Sequence, residues 1–498
     1  MSLPIVVYED AGWTRLLPLV YARPVFRLIC GMDDLLSKVS ALTGTVAGER
    51  APEPQRTALP ELAVWCRPML RAVLAEELPS DIPINCPIAS GALLLNGRGW
   101  WQALPQTDAH DSAWVGTARD GQVACLWADA GLAARLSPEL WLNEHASRAL
   151  LASLPRRDVS SCVRLFDWPW ELVDANESAI VADWDRFHPP VGAIQGRVYE
   201  GSSLLGEDAI CIGSGSTIKP CVVIDAENGP VWIGRNVTVK PHCYIEGPVF
   251  IGDQTLLQPG AVVHAGTSIG RRSKVGGEIE ASILHGFSNK QHNGFLGHSY
   301  LGSWVNIAAD CINSDLKNTY GTIRVPINGT GVDSGTQFVG MFMGDHSKAG
   351  INVSFPTGAV VGFCCNVMTP RAPKFVPSFT WLDGQASRPY DLPSAIQVAH
   401  RVMQRRQREL SPAQEQLFRV IRELSLAVES RTARLGALPE EQCHIGREGD
   451  PRTDEQQGGI LTAMPQSLVI FAEHSDEAVR LTLDTLAVTR RCETANVE

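Results

Sequence analysis

The chain has 498 residues, 44% of them hydrophobic and 19% charged, with a formal net charge of −11. That length holds roughly two to four domains and an ample core. The negative balance argues against nucleic acid or an anionic membrane as the main partner, and leaves room for an anionic small substrate in a local basic pocket.

The start, Met-Ser-Leu-Pro-Ile-Val-Val-Tyr-Glu-Asp, is too acidic and too short in its apolar run for a signal peptide. No stretch nears the roughly 18–20 apolar residues of a membrane span. The 13 cysteines include no C-x-x-C pair and read as reduced thiols rather than a disulfide frame or a zinc site. A cytoplasmic location is expected.

Residues 1–188 alternate buried strands with helical patterns. Ile5–Tyr8, Ala92–Leu95 and Val123–Trp127 read as strands, and Pro68–Glu77 and Pro138–Leu154 as helices. This alternation predicts an α/β layer domain.

Residues 191–370 carry a different rhythm. Ile233, Val239, Ile245, Ile251, Leu257, Val263, Ile269 and Val275 fall six residues apart, and Gly234, Gly252, Gly270 and Gly276 follow four of them. Neither a helix nor an alternating strand has that period. It is the hexapeptide signature of a parallel β-helix, in which one aliphatic per unit points inward. The beat starts at Ile212, Ile218 and Ile224, and Asp225–Pro230 interrupts it. Irregular segments are predicted at Glu280–Asn293 and Asn313–Gln337. The beat resumes at Phe295, Leu301 and Ile307, and again from Met343 through Ala349, Phe355 and Val361 to Val367. Irregular insertions in a solenoid lie outside its core and often carry function.

Residues 391–435 are predicted helical. Ser411-Pro412-Ala413-Gln414 is a capping box, and Leu417, Val420, Ile421, Leu424 and Val428 form one apolar stripe. Residues 438–498 begin with a polar stretch expected to be disordered and hold one apolar run, Leu468–Phe471, with no assigned role.

Around the second irregular segment stand Ser288, His292, Phe295-Leu296-Gly297 and Val305-Asn306-Ile307-Ala308-Ala309, followed by Asn313-Ser314-Asp315-Leu316-Lys317-Asn318. These residues resemble the bifunctional N-acetylglucosamine-1-phosphate uridyltransferase / glucosamine-1-phosphate N-acetyltransferase family. That family carries S-x-x-x-H-x-x-Y-L-G, V-N-I-G-A and an asparagine-rich loop. The resemblance implies a left-handed β-helix that trimerises, with an acyl site between subunits and acetyl-CoA as cosubstrate. His292 is then the base that takes the amine proton. Asn306 helps hold the amine or the acetyl group, and Lys290, Phe295, Asn313 and Lys317 contact the amino-sugar phosphate. The chain departs from the pattern in two places. Phe295 replaces the tyrosine, and Gln258-Pro259-Gly260-Ala261 replaces R-P-G-A, so a hydroxyl and an arginine are lost. Arg271, Arg272, Lys274, Lys290 and Lys317 are candidates to restore the charge. A zinc reading fails on spacing, because His292 and His298 are six apart rather than five.

The opening segment Asp10-Ala11-Gly12-Trp13-Thr14-Arg15, continuing to Arg23-Pro24 and Lys38, is similar to the start of sugar nucleotidyltransferases. Its closest likeness is to a divergent branch of the same bifunctional family. Leu95-Asn96-Gly97-Arg98 and Trp168–Asn176 resemble further segments of that branch. By this resemblance Gly12, Arg15, Arg23 and Lys38 bind UTP, usually with Mg²⁺; no metal ligand is assigned. The reading is a nucleotidyltransferase-like α/β domain, a β-helix and a helical tail that together make an activated N-acetyl amino sugar. Two alternatives stay open: a nucleotide-sugar pyrophosphorylase with a purely structural β-helix, and a non-catalytic trimeric scaffold.

Overall fold

A computed structural model describes residues 4–43, 62–107, 112–187, 189, 193–384 and 386–433. The polar stretch and apolar run of residues 438–498 lie outside the described residues.

The first domain is built on a six-stranded sheet. Its strands are β1 (Ile5–Tyr8), β2 (Leu62–Trp65), β3 (Ala92–Asn96), β4 (Trp114–Thr117), β5 (Val123–Ala128) and β6 (Arg156–Asp158), in the order β2-β1-β3-β5-β4-β6. Central β1 and β3 run parallel and are buried along their whole length, so their sequences are continuous apolar runs. Helix α1 (Leu35–Leu42) is capped by Asp34, which accepts from the Ser37 N–H. The predicted helix at Pro138–Leu154 is two helices. The chain turns at Asn143, whose side chain caps the second, Glu144–Leu151. Helix α2 (Pro169–Phe187) closes the domain and lies against the solenoid.

The solenoid has three faces, sheets of eleven, six and nine strands, and successive coils pair in parallel register. The eight aliphatics of the six-residue beat are all fully buried inside it. A Cβ on Gly252 would stand 2.7 Å from Arg271 N, and one on Gly270 2.5 Å from Gly286 N. Glycine at those positions lets consecutive coils close to strand spacing.

The expected irregular segment Glu280–Asn293 is in fact continuous coil, with strands at Glu278–Glu280, Ile283–Leu284 and Asn289–Lys290. Its inward positions are Ile279, Leu284, Lys290 and Leu296. Shortened corners and a lysine in an aliphatic slot hide the period. For the same reason Leu296, not Phe295, resumes the beat, and Phe295 faces outward beside Glu278. Asn313–Gln337 is a true excursion. It holds an antiparallel hairpin, Arg324–Ile327 with Thr330–Asp333, and Asn328 Nδ2 at its tip donates to Thr14 O of the first domain at 3.0 Å.

The first domain meets the third face through buried polar contacts. Asn176 on α2 accepts from Gly31 N–H at 2.6 Å and donates to Gly266 O and Ser268 Oγ. The Tyr300 hydroxyl accepts from Ile29 N–H at 2.8 Å and donates to Ile29 O at 3.0 Å. Helices α3 (Leu392–Gln404) and α4 (Pro412–Ala433) follow the solenoid. The Ser411 box forms as predicted, and Leu417 and Ile421 are buried.

Candidate functional site

The front pocket forms where β1 ends. Asp10 caps the short turn Ala11–Leu16 and accepts from Gly12 N–H at 3.0 Å. Arg98, just past β3, forks onto both Asp10 oxygens at 2.8 Å each. Asn96 adds a hydrogen bond to Asp10 at 2.8 Å. Asp167 faces them, accepting from Arg98 at 2.6 Å, from Arg15 at 2.5 Å and from Gln122 at 2.7 Å. A Cβ on Gly12 would come within 2.7 Å of Arg98 and 2.9 Å of Arg15, so glycine leaves room for both guanidinium groups. Burial works to raise the Asp10 pKa, but Arg98, Asn96 and Arg15 together outweigh it and hold the carboxyl below its usual range. Asp10, Gly12, Arg15, Arg98, Gln122 and Asp167 line a cavity of about 380 Å³. Arginines that share carboxylates in this way can exchange them for phosphate oxygens.

Of the expected nucleotide-binding residues, Gly12 and Arg15 line this cavity and Arg23 and Lys38 do not. Arg23 donates to Asp345 and Ser303 of the solenoid at 2.6 and 3.0 Å. Lys38 is 0% exposed and paired with Asp183 on α2. Arg23 lines a larger cavity between the first domain and the solenoid, and Lys38 is held at a helix contact. Arg98 and Asp167 are the residues that motif reading missed. The Asn96-Gly97-Arg98 segment was the signal for Arg98, because it carries both side chains hydrogen-bonded to Asp10.

Two carboxylates of the front pocket, Asp10 and Asp167, are those that could hold a magnesium ion together with phosphate oxygens. Asp10 and Asp167 are engaged by arginine, and no group of three or more metal-binding side chains occurs among the described residues. Asp129, the first acidic residue past β5, caps a short helix.

On the solenoid, the corner between the first and second faces carries His292. Lys290 is 1% exposed, with its side chain turned inward, and its ammonium donates to Gly276 O at 2.9 Å and to His292 O at 2.7 Å. The His292 side chain is exposed, with Gln291 Nε2 at 3.4 Å from its Nε2. Asn306 stands opposite Asn289 on the next coil, at 3.2 Å, and Asn289 accepts from Arg406 at 2.6 Å. Ser288 is a strut between coils, bonded to Gly302 O and Val305 N–H. Lys290 and Asn306 thus lie on adjoining coils of the first face, with His292 at the corner after Lys290.

Asn313 and Lys317 lie elsewhere. Asn313 clamps both backbone groups of Gly297 at 3.0 Å. Lys317 donates to Thr322 O within the inserted loop. That loop also supplies Asp315, which holds His298 Nδ1 at 2.9 Å at the corner between the second and third faces. A carboxylate fixing an imidazole is the geometry of an oriented base, and spacing alone did not single it out.

Residues 5–189 match the sugar nucleotidyl transferase family. The chain is 29% identical over 136 residues to a bifunctional sugar-1-phosphate nucleotidylyltransferase/acetyltransferase of Sulfurisphaera tokodaii, covering 27% of this chain and 34% of that protein. It is 35% identical over 113 residues to the bifunctional protein GlmU of Methanococcus vannielii, covering 23% and 26%. It is 31% identical over 259 residues to the bifunctional protein GlmU of Acidithiobacillus ferrooxidans, covering 45% and 53%. The matches thus span between about a quarter and about half the length of these relatives. The matched first domain, these relatives and the β-solenoid that follows together fit a divergent branch of the bifunctional uridyltransferase/acetyltransferase family.

Proposed function

We propose that this chain is a transferase of sugar-nucleotide synthesis. Its solenoid acetylates an amino-sugar 1-phosphate from acetyl-CoA, and its first domain moves a uridylyl group from UTP onto the N-acetyl sugar phosphate. The observation that carries the reading is the His292 corner. A buried lysine fixes the backbone of a loop whose imidazole stands open to solvent.

In the acyl step the sugar amine attacks the thioester carbonyl. A C–N bond forms, the C–S bond breaks, and coenzyme A leaves as the thiolate, which ends as the thiol. The amine proton passes to His292. Asn306, on the adjoining coil, positions the amine or the acetyl group. An exposed base needs walls to exclude water. A neighbouring copy of the solenoid supplies them if the chain assembles as the trimer that the resemblance implies. In the front pocket Arg15 and Arg98 bind and orient the triphosphate, with no step assigned to a metal. The site of action is placed in the cytoplasm as part of this reading; among the described residues no helix is long and apolar enough to cross a membrane.

The test follows free thiol release from acetyl-CoA in the presence of glucosamine 1-phosphate. His292→Ala is expected to lower the rate by roughly 10²–10⁴-fold. Full activity in that variant, with loss in His298→Ala instead, moves the base to the His298–Asp315 pair. No thiol release by the unaltered protein ends the acyl-transfer reading.

A further inference from the structure

The excursion Asn313–Gln337 leaves the solenoid and returns through a closed neck. Val339 N–H donates to Asp315 O at 2.9 Å, and Leu316 bridges to Phe338. Beyond the neck stands the hairpin of Arg324–Ile327 and Thr330–Asp333. Its two strands pair with each other and with no further strand among the described residues. A lone hairpin is marginal and needs a surface to pack on. Alternation gives it one apolar side: Ile323, Val325 and Ile327 are buried, while Arg324, Thr330 and Gly331 are exposed. The buried three belong to the same apolar cluster as Leu16, Leu17 and Phe26 of the first domain. Gly358 lets the hairpin close onto the solenoid, since a Cβ there would stand 2.7 Å from the Ile323 side chain.

The tip is a two-residue turn, Asn328-Gly329, with φ of +49° and +79°. Asparagine and glycine are the residues that so tight a turn favours. From this tip Asn328 Nδ2 donates to Thr14 O at 3.0 Å. Thr14 belongs to the short helical turn Ala11–Leu16. The last carbonyls of a helix look outside it for partners, and here the solenoid supplies one.

The same turn carries Gly12 and Arg15 onto the wall of the front cavity. It is held at two points. Asp10 of the first domain accepts from Gly12 N–H, and Asn328 of the solenoid holds Thr14, the residue before Arg15. The Arg15 side chain is 38% exposed where it reaches Asp167. A side chain that open has little packing of its own, so its aim is set by the backbone it leaves.

We propose that the solenoid completes the nucleotide pocket of the first domain. Asn328 is a positioning residue: its amide holds the turn from which Gly12 and Arg15 meet the triphosphate, so UTP binding in one domain depends on a loop of the other. The inference rests on the reading of the front cavity as the UTP site.

Calorimetric titration of the full chain with UTP, paired with steady-state pyrophosphate release, tests it. Asn328→Gly keeps the left-handed turn and removes the amide. It is expected to weaken UTP binding roughly fivefold to tenfold and to raise the KM for UTP in step, with kcat within about twofold. Thiol release from acetyl-CoA and the thermal midpoint should stay at the values of the unaltered protein. Asn328→Asp keeps the turn but sets an acceptor against Thr14 O, and should weaken UTP at least as much. Thr330→Ala, exposed beside the same tip, should leave UTP binding unchanged. Unchanged UTP binding in both Asn328 variants, with loss in Arg15→Ala, overturns the proposal and leaves the UTP site standing. No UTP binding by the unaltered protein, or binding that survives Arg15→Ala, overturns the UTP site and the proposal with it. A loss of UTP binding matched by falls in thiol release and thermal midpoint also overturns the proposal, because the hairpin is then a brace for the whole fold.

Discussion

Arg23 Nη2 lies 2.6 Å from Asp345 Oδ2, and this pair ties the first domain to a corner of the solenoid. Asp345 also accepts from Ser303 N–H at 2.9 Å. Burial raises the Asp345 pKa despite the adjacent guanidinium, which shows how costly an unpaired charge would be there. Arg23→Ala should therefore lower the unfolding free energy in urea by roughly 3–5 kcal/mol. Adding Asp345→Asn should recover part of that loss, since no buried carboxylate then lacks its partner. UTP affinity should be unaffected by Arg23→Ala under conditions where the fold persists. A selective loss of UTP binding would restore Arg23 to the nucleotide site.

Lys38 makes a parallel case inside the first domain. It lies on α1, and its partner Asp183 on α2 also accepts from Met32 N–H at 2.8 Å. Lys38→Ala leaves a void and an under-satisfied carboxylate and should lower the thermal midpoint strongly. Lys38→Met fills the volume and should fall less. Equal midpoints for both variants would mean that the ion pair, not packing, carries the whole effect.

The solenoid was legible because one inward aliphatic per six residues is a period no other element has. The reading failed where that chemistry changed. Lys290 occupies an inward slot, and the corners on either side of Ile279 are short, so a regular coil was taken for an insertion. Gly12 and Arg15 line the front cavity and follow a strand within a few residues. Arg23 and Lys38 turn to partners, Asp345 and Asp183, that lie 322 and 145 residues away in the chain, which no local motif shows. The His298–Asp315 pair depends on the path of an inserted loop, which carries no period at all.

Lys290 should leave a pH signature. Burial lowers its pKa from 10.5 to about 8. Between those values the unfolded chain holds a proton that the folded chain has released, so stability rises with pH across that window. Below about pH 8 both states are charged and the folded state bears the full cost of burial. Lys290→Met should flatten the stability profile from about pH 8 to 10.5 and leave the thermal midpoint at pH 7 unchanged or higher. The same variant frees the His292 carbonyl from its anchor, and acetyl transfer should fall by roughly 10²-fold. An enzyme that keeps both full activity and the original pH profile would show that the ammonium neither positions the loop nor titrates on unfolding.

Arg98 is the residue on which the front pocket turns, since among the described residues it alone bonds both Asp10 and Asp167. Lysine cannot reproduce a fork that spans two carboxylates. Arg98→Lys should reduce pyrophosphate release from UTP and N-acetylglucosamine 1-phosphate by roughly 10²–10³-fold. Asp10 supplies an independent readout. Its folded pKa lies below the ordinary 3.8, so its contribution to stability is present above that pH and is lost as the pH falls through the folded value. Without the Arg98 fork the folded and unfolded values converge, and the acid limb of the stability curve should become shallower in Arg98→Ala than in the unaltered protein. A variant whose turnover collapses while its acid limb stays steep would place Arg98 on the substrate alone, with Asp10 held down by Asn96 and the turn at Gly12.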